Sequence, residues 1–320
     1  MALDPVPAQP LPGAVVVTGA DGRLGRRLVR ALHRTMPVIG LDHRESSGFP
    51  PDVEHHALDL ASKRVRDLLK RPGIAAVVHL GVLHDPRARV ERHHGFNMLT
   101  LRRLFECVEE FAIPKLVLLS SANVYGPRPD NPQLLGEDAP LLAAGRFSEI
   151  RDLVELDLSA QGFFYRNPAT ETVILRPSHI LGTVRNAPSN YLRMKRVPTL
   201  LGFDPMMQVV HQDDVVSAIV RSLSPGARGI FNISGPPPVA LSQAIELLGR
   251  QTVPLPHGLA RVAVDRLFRW RVTSFPAAEL DFIRYVCMVD DSRARRELCY
   301  APRHDLGATL SAVDEERWVD

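Results

Sequence analysis

A glycine-rich turn near the start of the chain has the residue types and spacing that bind a nucleotide phosphate. Gly19, Gly22 and Gly25 follow the β-branched run 15–18, and an apolar pattern at helical spacing begins at Leu24. Gly19 permits a tight turn, Gly22 lets a pyrophosphate approach the backbone, and Gly25 lets the helix pack close to the strand. The free N–H groups and the positive dipole end of the helix then face the phosphates.

An acidic residue follows at the distance that a dinucleotide site requires. A second strand pattern covers residues 36–41 and is followed directly by Asp42. A carboxylate at about this distance from the glycines binds the hydroxyls of a ribose. The alternative interpretation is a glycine turn that serves the backbone and binds no nucleotide.

The composition is typical of a soluble globular protein with one large or two modest domains. The chain has 320 residues, of which 45% are hydrophobic and 23% charged, and its net charge is only +3. This small charge gives no reason to expect a nucleic-acid partner. Three scattered cysteines predict free thiols in a reducing cytoplasm, and no apolar run is long enough to span a membrane. Residues 1–12 hold four prolines and predict a disordered tail.

Strand and helix patterns then alternate along the chain. This alternation predicts an α/β fold, a Rossmann-type doubly wound parallel sheet with a smaller, mostly helical C-terminal lobe. Ligands bind at the carboxyl ends of the strands in such sheets, so Gly81, after the strand 74–80, is expected to face a cofactor. Further strand patterns cover 53–58, 115–121, 172–177 and 229–233, and helix patterns cover 62–70, 87–108 and 147–161.

The motifs together resemble the extended short-chain dehydrogenase/reductases, in the NAD-dependent epimerase/dehydratase group. The resemblance covers about residues 14–310 and rests on several motifs in the expected order. These are Thr18–Gly25, Asp42, Asp59-Leu60, His79-Leu80-Gly81, Asn97, Ser120–Gly126, Leu175-Arg176-Pro177, His211–Asp214 and Ala294–Leu298.

The resemblance implies a binding site for NAD, with NADP less favoured. It places the pyrophosphate at the glycine turn, the adenosine ribose at Asp42 and the adenine at Asp59 and Leu60. A carboxylate repels a 2′-phosphate, whereas Arg44 weakens that preference. Asp59 is alternatively a helix-capping or loop residue. The full set of implied cofactor contacts is Gly19, Asp21, Gly22, Arg23, Leu24, Gly25, Asp42, Asp59, Leu60, Gly81, Ser120, Arg151 and Pro177.

The sequence departs from the family at its catalytic pair. The family uses a Tyr-x-x-x-Lys pair on a helix together with a serine, and Ser121 matches the serine. The helix 147–161 places Phe147 at the tyrosine position and Arg151 at the lysine position. Phenylalanine has no proton to give, whereas arginine can still bind ribose hydroxyls. Losing a general acid typically costs on the order of 10²- to 10⁴-fold in rate.

Two other residues could supply the missing proton. Tyr191 and Lys195 have the Tyr-x-x-x-Lys spacing, but they lie in a segment that resembles the family's substrate loop. His179 follows the strand end at Pro177, where family members contact substrate, and its ordinary pKa is near neutral. We therefore keep His179 as a candidate surrogate acid, with an ordinary loop histidine as the alternative.

Two further groups of residues are interpreted structurally. The adjacent pairs His55-His56 and His93-His94 point in diverging directions, so neither pair chelates a metal on its own. The segment 259–271 predicts a basic amphipathic helix that packs on its own lobe, with a membrane-surface or partner helix as the alternative. The face predicted to be apolar comprises Leu259, Val262, Ala263, Leu267 and Trp270.

These observations lead to a division of the chain and to two functional hypotheses. The Rossmann domain comprises 13–178 plus 204–235, and the smaller lobe 179–203 plus 236–320. The first hypothesis is an NAD(H)-binding protein with a disabled proton-transfer site that acts as a sensor, scaffold or regulatory module, with room for a protein partner or a homodimer. The second is an active NAD-dependent oxidoreductase or epimerase that uses a surrogate acid such as His179.

Overall fold

The computed structural model describes residues 11–44, 48–80, 90–145, 148–184, 186–269 and 277–318. Residues 1–10 of the predicted tail, Gly81, Phe147 and Trp270 lie outside these ranges. Among the described residues, no helix combines the length and the apolar character that crossing a membrane requires.

A seven-stranded parallel sheet forms the centre of the molecule. Its strand order is β11-β6-β5-β4-β1-β2-β3, so the order reverses between β1 and β4. This reversal is the point at which open α/β sheets bind ligands. The predicted fold class is therefore confirmed. The strands are β1 (Ala14–Thr18), β2 (Val38–Asp42), β3 (Glu54–Ala57), β4 (Ile74–His79), β5 (Lys115–Leu119), β6 (Glu171–Pro177) and β11 (Gly229–Ile233).

Helices cover both faces of this sheet because its strands are apolar on both faces. The central strand β1 has Val15, Val16 and Val17 fully buried. One apolar core contains Val15 and Val17 together with residues of the first and sixth helices, and the other contains Val16 together with residues of the second to fourth helices. These helices are α1 (Arg23–Leu32), α2 (Lys63–Leu69), α3 (Val90–Glu110), α4 (Ser148–Arg166) and α6 (Gln212–Ser222).

The smaller lobe has its own apolar core and more strand than its sequence suggests. Three two-stranded sheets pair β7 with β10, β8 with β13, and β9 with β12. The strands are β7 (His179–Leu181), β8 (Arg196–Leu200), β9 (Met206–Met207), β10 (Val209–His211), β12 (Val239–Ala240) and β13 (Gln251–Leu255). The helices of the remaining chain are α5 (Ala187–Leu192), α7 (Leu241–Leu247), α8 (His257–Arg269), α9 (Ser292–Glu297) and α10 (Leu306–Ser311), with 3-10 helices at Ala277–Ile283 and Ala312–Trp318. Two further 3-10 helices, Ala122–Val124 and Ala143–Gly145, lie between β5 and α4 of the larger domain.

The segment around α9 returns to the large sheet. Ala294, Leu298 and Tyr300 are buried in the same apolar core as β1 and α1. The Tyr300 hydroxyl donates a hydrogen bond to the Ser234 carbonyl over 2.8 Å. The predicted lobe 236–320 therefore includes a segment that packs on the sheet, where α9 contacts the strand β11.

Two residues of the predicted apolar face of α8 are exposed, whereas the side chains of Ala263, Leu267 and Trp270 lie outside the described residues. Leu259 is 67% exposed and Val262 51% exposed. Ala260 and Val264 are buried and pack with Leu280 and Ile283 in the core of the lobe. The prediction is therefore wrong for Leu259 and Val262, because tertiary packing buries their neighbours instead.

Candidate functional site

The glycine turn joins β1 to α1 and has the backbone conformation that its sequence predicts. Gly19 has φ +71°, in the left-handed region, and its N–H donates to the Leu41 carbonyl over 2.8 Å. A Cβ at Gly25 would lie 2.2 Å from the Gly19 carbonyl oxygen. The helix therefore begins in close contact with the turn, and only glycine fits there. Arg23 is exposed at the start of α1, and Leu24 is partly buried against the core.

The structure brings Asp42 to this turn across the top of the sheet. Its side chain is buried, and its Oδ2 accepts a hydrogen bond from the Asp21 N–H over 3.1 Å. Its Oδ1 accepts bonds from the N–H groups of His43 at 2.8 Å and Arg44 at 3.3 Å. These bonds fix the carboxylate beside the glycine turn, while the Arg44 side chain is 63% exposed and its Nε lies 3.9 Å from Asp42 Oδ1. The arrangement suits a 2′-hydroxyl better than a 2′-phosphate.

The residues predicted to contact adenine lie at the next strand end. Asp59 Oδ1 accepts a hydrogen bond from the Ala61 N–H over 2.8 Å, which is a contact of the loop that leads into α2. Leu60 lines a cavity of about 280 Å³, together with Ser62, His79 and Thr100. This hydrogen bond supports the interpretation of Asp59 as a loop residue. It uses only one of the two carboxylate oxygens of Asp59.

His79, at the carboxyl end of β4, is buried beside this cavity. Its Nδ1 lies 2.7 Å from the Thr18 hydroxyl at the end of β1. Burial lowers the pKa of His79 to about 4, because a charged imidazolium would lose its hydration there. The ring is therefore neutral at pH 7 and ties two strand ends together at the point where the strand order reverses.

A second cavity of about 300 Å³ contains the predicted catalytic serine. Ser121 follows β5, and its Oγ accepts a hydrogen bond from the Asn123 N–H over 3.1 Å. Ser120, Pro177 and His179 line the same cavity. The structure thus brings together four predicted site residues, from the carboxyl ends of β5 and β6 and the start of β7, and we call this cavity the cleft.

A buried polar network supports the wall of the cleft. Ser120 Oγ donates to Asp157 Oδ2 over 2.6 Å, and the Nε and Nη2 groups of Arg176 donate to the two oxygens of the same carboxylate at 2.9 and 2.6 Å. The network continues from Arg176 to the Tyr125 hydroxyl at 2.8 Å and from that hydroxyl to Asn232 at 2.8 Å. Sequence reasoning missed this network, although Arg176 lies in one of the recognised motifs.

The tyrosines near the cleft are poor proton donors. The Tyr191 hydroxyl donates to the Pro198 carbonyl over 2.7 Å, and burial raises the pKa of this phenol. Burial also raises the pKa of Tyr125 to about 12, against the opposing effect of the Arg176 charge. Lys195 is exposed before β8, so the Tyr191–Lys195 spacing does not form a pair in the cleft.

His179 lines the cleft with one ring nitrogen unsatisfied. Its Nδ1 is buried and has no hydrogen-bond partner among the described residues. The ring meets the Phe282 ring edge-on, with the centroids 5.7 Å apart. Burial lowers the pKa of His179 to about 4, so the imidazole is neutral at pH 7.

The predicted lysine position, Arg151 on α4, is half exposed. The Arg151 side chain is 50% exposed, and its Nε lies 4.0 Å from Glu155 Oε1. Arg151 does not contribute to the lining of the cleft. The tyrosine position, Phe147, falls outside the described residues, as does Gly81.

One group of potential metal ligands lies outside the cleft. Suitable donor atoms of His211, Asp213 and His304 all lie within 4.8 Å of one another. The two imidazole rings are stacked, with centroids 3.7 Å apart and planes 19° from parallel. A metal lies close to the plane of each imidazole that binds it, so stacked rings do not share an ion. Asp213 also pairs with Arg27 at 2.8 Å.

The adjacent histidine pairs have separate partners. His55 stacks on the Phe49 ring, whereas His56 lies 2.6 Å from Glu54. His94 Nδ1 lies 2.8 Å from Asp152 Oδ1. The side chain of His93 falls outside the described residues.

A model of the NAD dependent epimerase/dehydratase family matches residues 15–234 of the chain. The chain belongs to this family. The matched segment runs from β1 through β11 and includes the glycine turn, Asp42 and most of the cleft. The family resemblance predicted from the motifs is therefore confirmed.

The chain is also similar to curated relatives and, in fold, to solved structures. Uncharacterized proteins of Mycobacterium tuberculosis and Mycobacterium bovis are each 28% identical over 321 residues, covering 95% of this chain and 83% of the relative. The dTDP-glucose 4,6-dehydratase of Bacillus anthracis, in complex with NAD, aligns with a TM-score of 0.72 at 17% identity and covers 96% of this chain and 97% of that chain.

Two further structures of the family superimpose equally well. A short-chain dehydrogenase/reductase superfamily protein of Agrobacterium tumefaciens with bound NAD gives a TM-score of 0.73 at 23% identity, covering 95% of this chain and 97% of that chain. The UDP-glucose 4-epimerase of Thermus thermophilus, in complex with NAD, gives 0.72 at 19% identity, covering 96% and 100%. At these identities the likeness shows the shared fold.

Proposed function

We propose that the chain binds NAD(H) across the carboxyl edge of the sheet, with the pyrophosphate at the glycine turn and the adenosine ribose at Asp42. Family membership, the left-handed Gly19 and the buried Asp42 carboxylate support this placement. The three related structures above hold NAD. NAD is favoured over NADP because the fixed carboxylate repels a 2′-phosphate, whereas Arg44 is largely in solvent.

The bound nicotinamide then lacks the family's proton relay. In the sequence, Phe147 falls at the family's tyrosine position and Arg151 at its lysine position. The observation that carries this proposal is that the tyrosine hydroxyls near the cleft are hydrogen-bonded and have raised pKa values. Tyr191 and Tyr125 both have engaged hydroxyls and raised pKa values, so neither replaces the missing acid. Hydride transfer to a carbonyl would leave an alkoxide with no proton donor.

The biological role that fits this site is binding, not turnover. A protein that binds NAD(H) and holds a second molecule in the cleft can report on the cofactor as a sensor, scaffold or regulatory module. Such a role requires the fold and the cofactor site, and it does not require Tyr-x-x-x-Lys.

The test combines a binding measurement with a gain of activity. NADH fluorescence titration should detect binding by the wild type, and NADPH should bind more weakly. Reduction of an aromatic ketone should be slower by on the order of 10²- to 10⁴-fold than in Phe147→Tyr with Arg151→Lys. Phe147→Tyr alone is the matched control, because a tyrosine without its lysine keeps a pKa near 10.

Two results would contradict the proposal. Failure of both nucleotides to bind would remove the cofactor site. Reduction of a carbonyl by the wild type at an ordinary enzyme rate of about 1–10³ s⁻¹ would show a working proton relay.

An active oxidoreductase is the second candidate, and the unsatisfied Nδ1 of His179 favours it. This nitrogen lines the cleft and has no described partner, so it is available to a substrate. Its lowered pKa makes the neutral ring a weak acid at pH 7. If the wild type does turn over, His179→Ala should abolish the rate while NADH binding is retained.

A further inference from the structure

The substrate side of the cleft is unusually poor in polar groups. It is built from side chains of α4, β7, β9, α7 and the 3-10 helix Ala277–Ile283, which meet only in the folded protein. The lining side chains on this side are large and apolar. They include Ile150, Leu153, Ile180, Met207, Leu241 and Phe282.

No lysine, arginine, aspartate or glutamate lines the cleft within the described ranges. Two nearby arginines of the described ranges have other contacts. The Arg193 guanidinium donates to the carbonyls of Val313 at 2.8 Å and Gly182 at 2.6 Å. Arg284 lies over the Phe203 and Tyr285 rings, at 4.9 and 4.8 Å from their centroids. A diphosphate in this cleft would lose its hydration without gaining a charged partner among the described residues that line it.

The hydrogen-bonding capacity of the cleft is small and localised. Ser178 Oγ and His179 Nδ1 are buried and have no partner in the described part of the chain. The Asn186 side chain is already engaged, because it accepts from the Ser189 N–H at 3.0 Å and donates to the Ile180 carbonyl at 2.7 Å. Ser121 and Asn123 also line the cleft, so its hydrogen-bonding groups are uncharged and suit a carbonyl or hydroxyl group of a bound molecule.

We propose that the cleft binds an uncharged, largely apolar molecule that carries a single carbonyl or hydroxyl group, and that it does not bind a nucleotide sugar. The position of this molecule beside a nicotinamide rests on the proposed function. Its chemical class rests only on the lining of the cleft. The volume of about 300 Å³ suits a molecule of two or three fused or linked rings.

The probe is 6-propionyl-2-dimethylaminonaphthalene, an uncharged two-ring ketone whose fluorescence shifts to the blue in apolar surroundings. It is titrated with the full chain, first without nucleotide and then with saturating NADH. We expect saturable binding with a blue shift in both titrations. UDP-glucose, added as a competitor at up to millimolar concentration, should leave the blue-shifted signal unchanged.

Neighbouring methionines provide a matched pair of variants. Met207 lines the cleft, whereas Met206 precedes it on the same strand, is 40% exposed and does not line the cleft. Met207→Arg should weaken probe binding by about tenfold or more, because the new charge loses hydration beside the apolar wall. Met206→Arg should bind the probe like the wild type.

A second substitution covers the case in which Met207→Arg does not fold. Phe282→Ser removes an aromatic ring from the wall without adding charge and should weaken probe binding by about threefold to tenfold. Circular dichroism and the NADH titration show whether each variant remains folded.

The proposal is overturned if the probe does not bind, if UDP-glucose displaces it, or if folded Met207→Arg and folded Phe282→Ser both bind it normally. A failure of the cofactor proposal has a different signature. In that case NADH does not bind, whereas the probe still binds the wild type and still binds folded Met207→Arg and Phe282→Ser more weakly.

Discussion

The two ends of the candidate site are built in different ways. The cofactor end consists mainly of backbone, with the glycine turn and Asp42 all lying between residues 18 and 42. The cleft consists mainly of side chains from segments between residues 80 and 283. Backbone geometry depends on a few glycines, whereas the chemistry of the cleft depends on many side-chain identities. A family member can therefore keep the first end while it changes the second.

The largest expected effect is a loss of stability when the buried polar network beside the cleft is broken. Asp157→Ala removes the carboxylate that pairs with Arg176, whose side chain is 1% exposed. An unpaired buried guanidinium should lower the free energy of unfolding by about 3–5 kcal/mol, measured by urea denaturation. Glu155→Ala on the same helix is the control, because its contact with Arg151 is exposed and should contribute less than about 1 kcal/mol. Equal losses in the two variants would mean that the buried network does not support the cleft.

The next effect concerns His79 and acid pH at the cofactor end. Its folded pKa of about 4 lies below the ordinary value of 6.5, so the unfolded state binds the proton more readily. The neutral His79 ring therefore contributes its full stabilisation of the folded state above about pH 6.5, and this contribution is lost as the pH falls towards 4. It amounts to about 3 kcal/mol at most. His79→Asn should flatten the dependence of unfolding free energy on pH across this window, and an unchanged slope would refute the prediction.

The smallest stability effect tests the tightness of the glycine turn. A Cβ at Gly25 would lie 2.2 Å from a backbone oxygen, whereas one at Gly95 in α3 would meet no atom within 4 Å. Gly25→Ala should lower the free energy of unfolding by about 1–3 kcal/mol and weaken NADH binding. Gly95→Ala should be neutral or should stabilise the protein by up to about 1 kcal/mol. If the two alanine variants have the same stability and NADH affinity, the turn tolerates side chains and the contrast between the two ends is smaller than we infer.

Local sequence was sufficient to predict most elements of the sheet. The β-branched strands, the glycine turn and the helix that follows it are encoded by residues close together in the chain, so their periodicity and spacing identify them. Local sequence was insufficient to predict which residues of α8 are buried. Leu259 and Val262 share a periodic face, but Ala260 and Val264 are the residues that reach the core of the lobe.

By itself, the sequence determined the family and the Rossmann-type sheet, and it predicted phenylalanine and arginine at the catalytic positions. These properties depend on residue identity and short spacing. The tertiary structure alone decided that Ser120 joins Asp157 and Arg176, and that His179 is buried and neutral. It also decided that the substrate side of the cleft is apolar. Each of these properties arises where segments far apart in the chain exclude water from a shared interior, and no local pattern records which segments will meet.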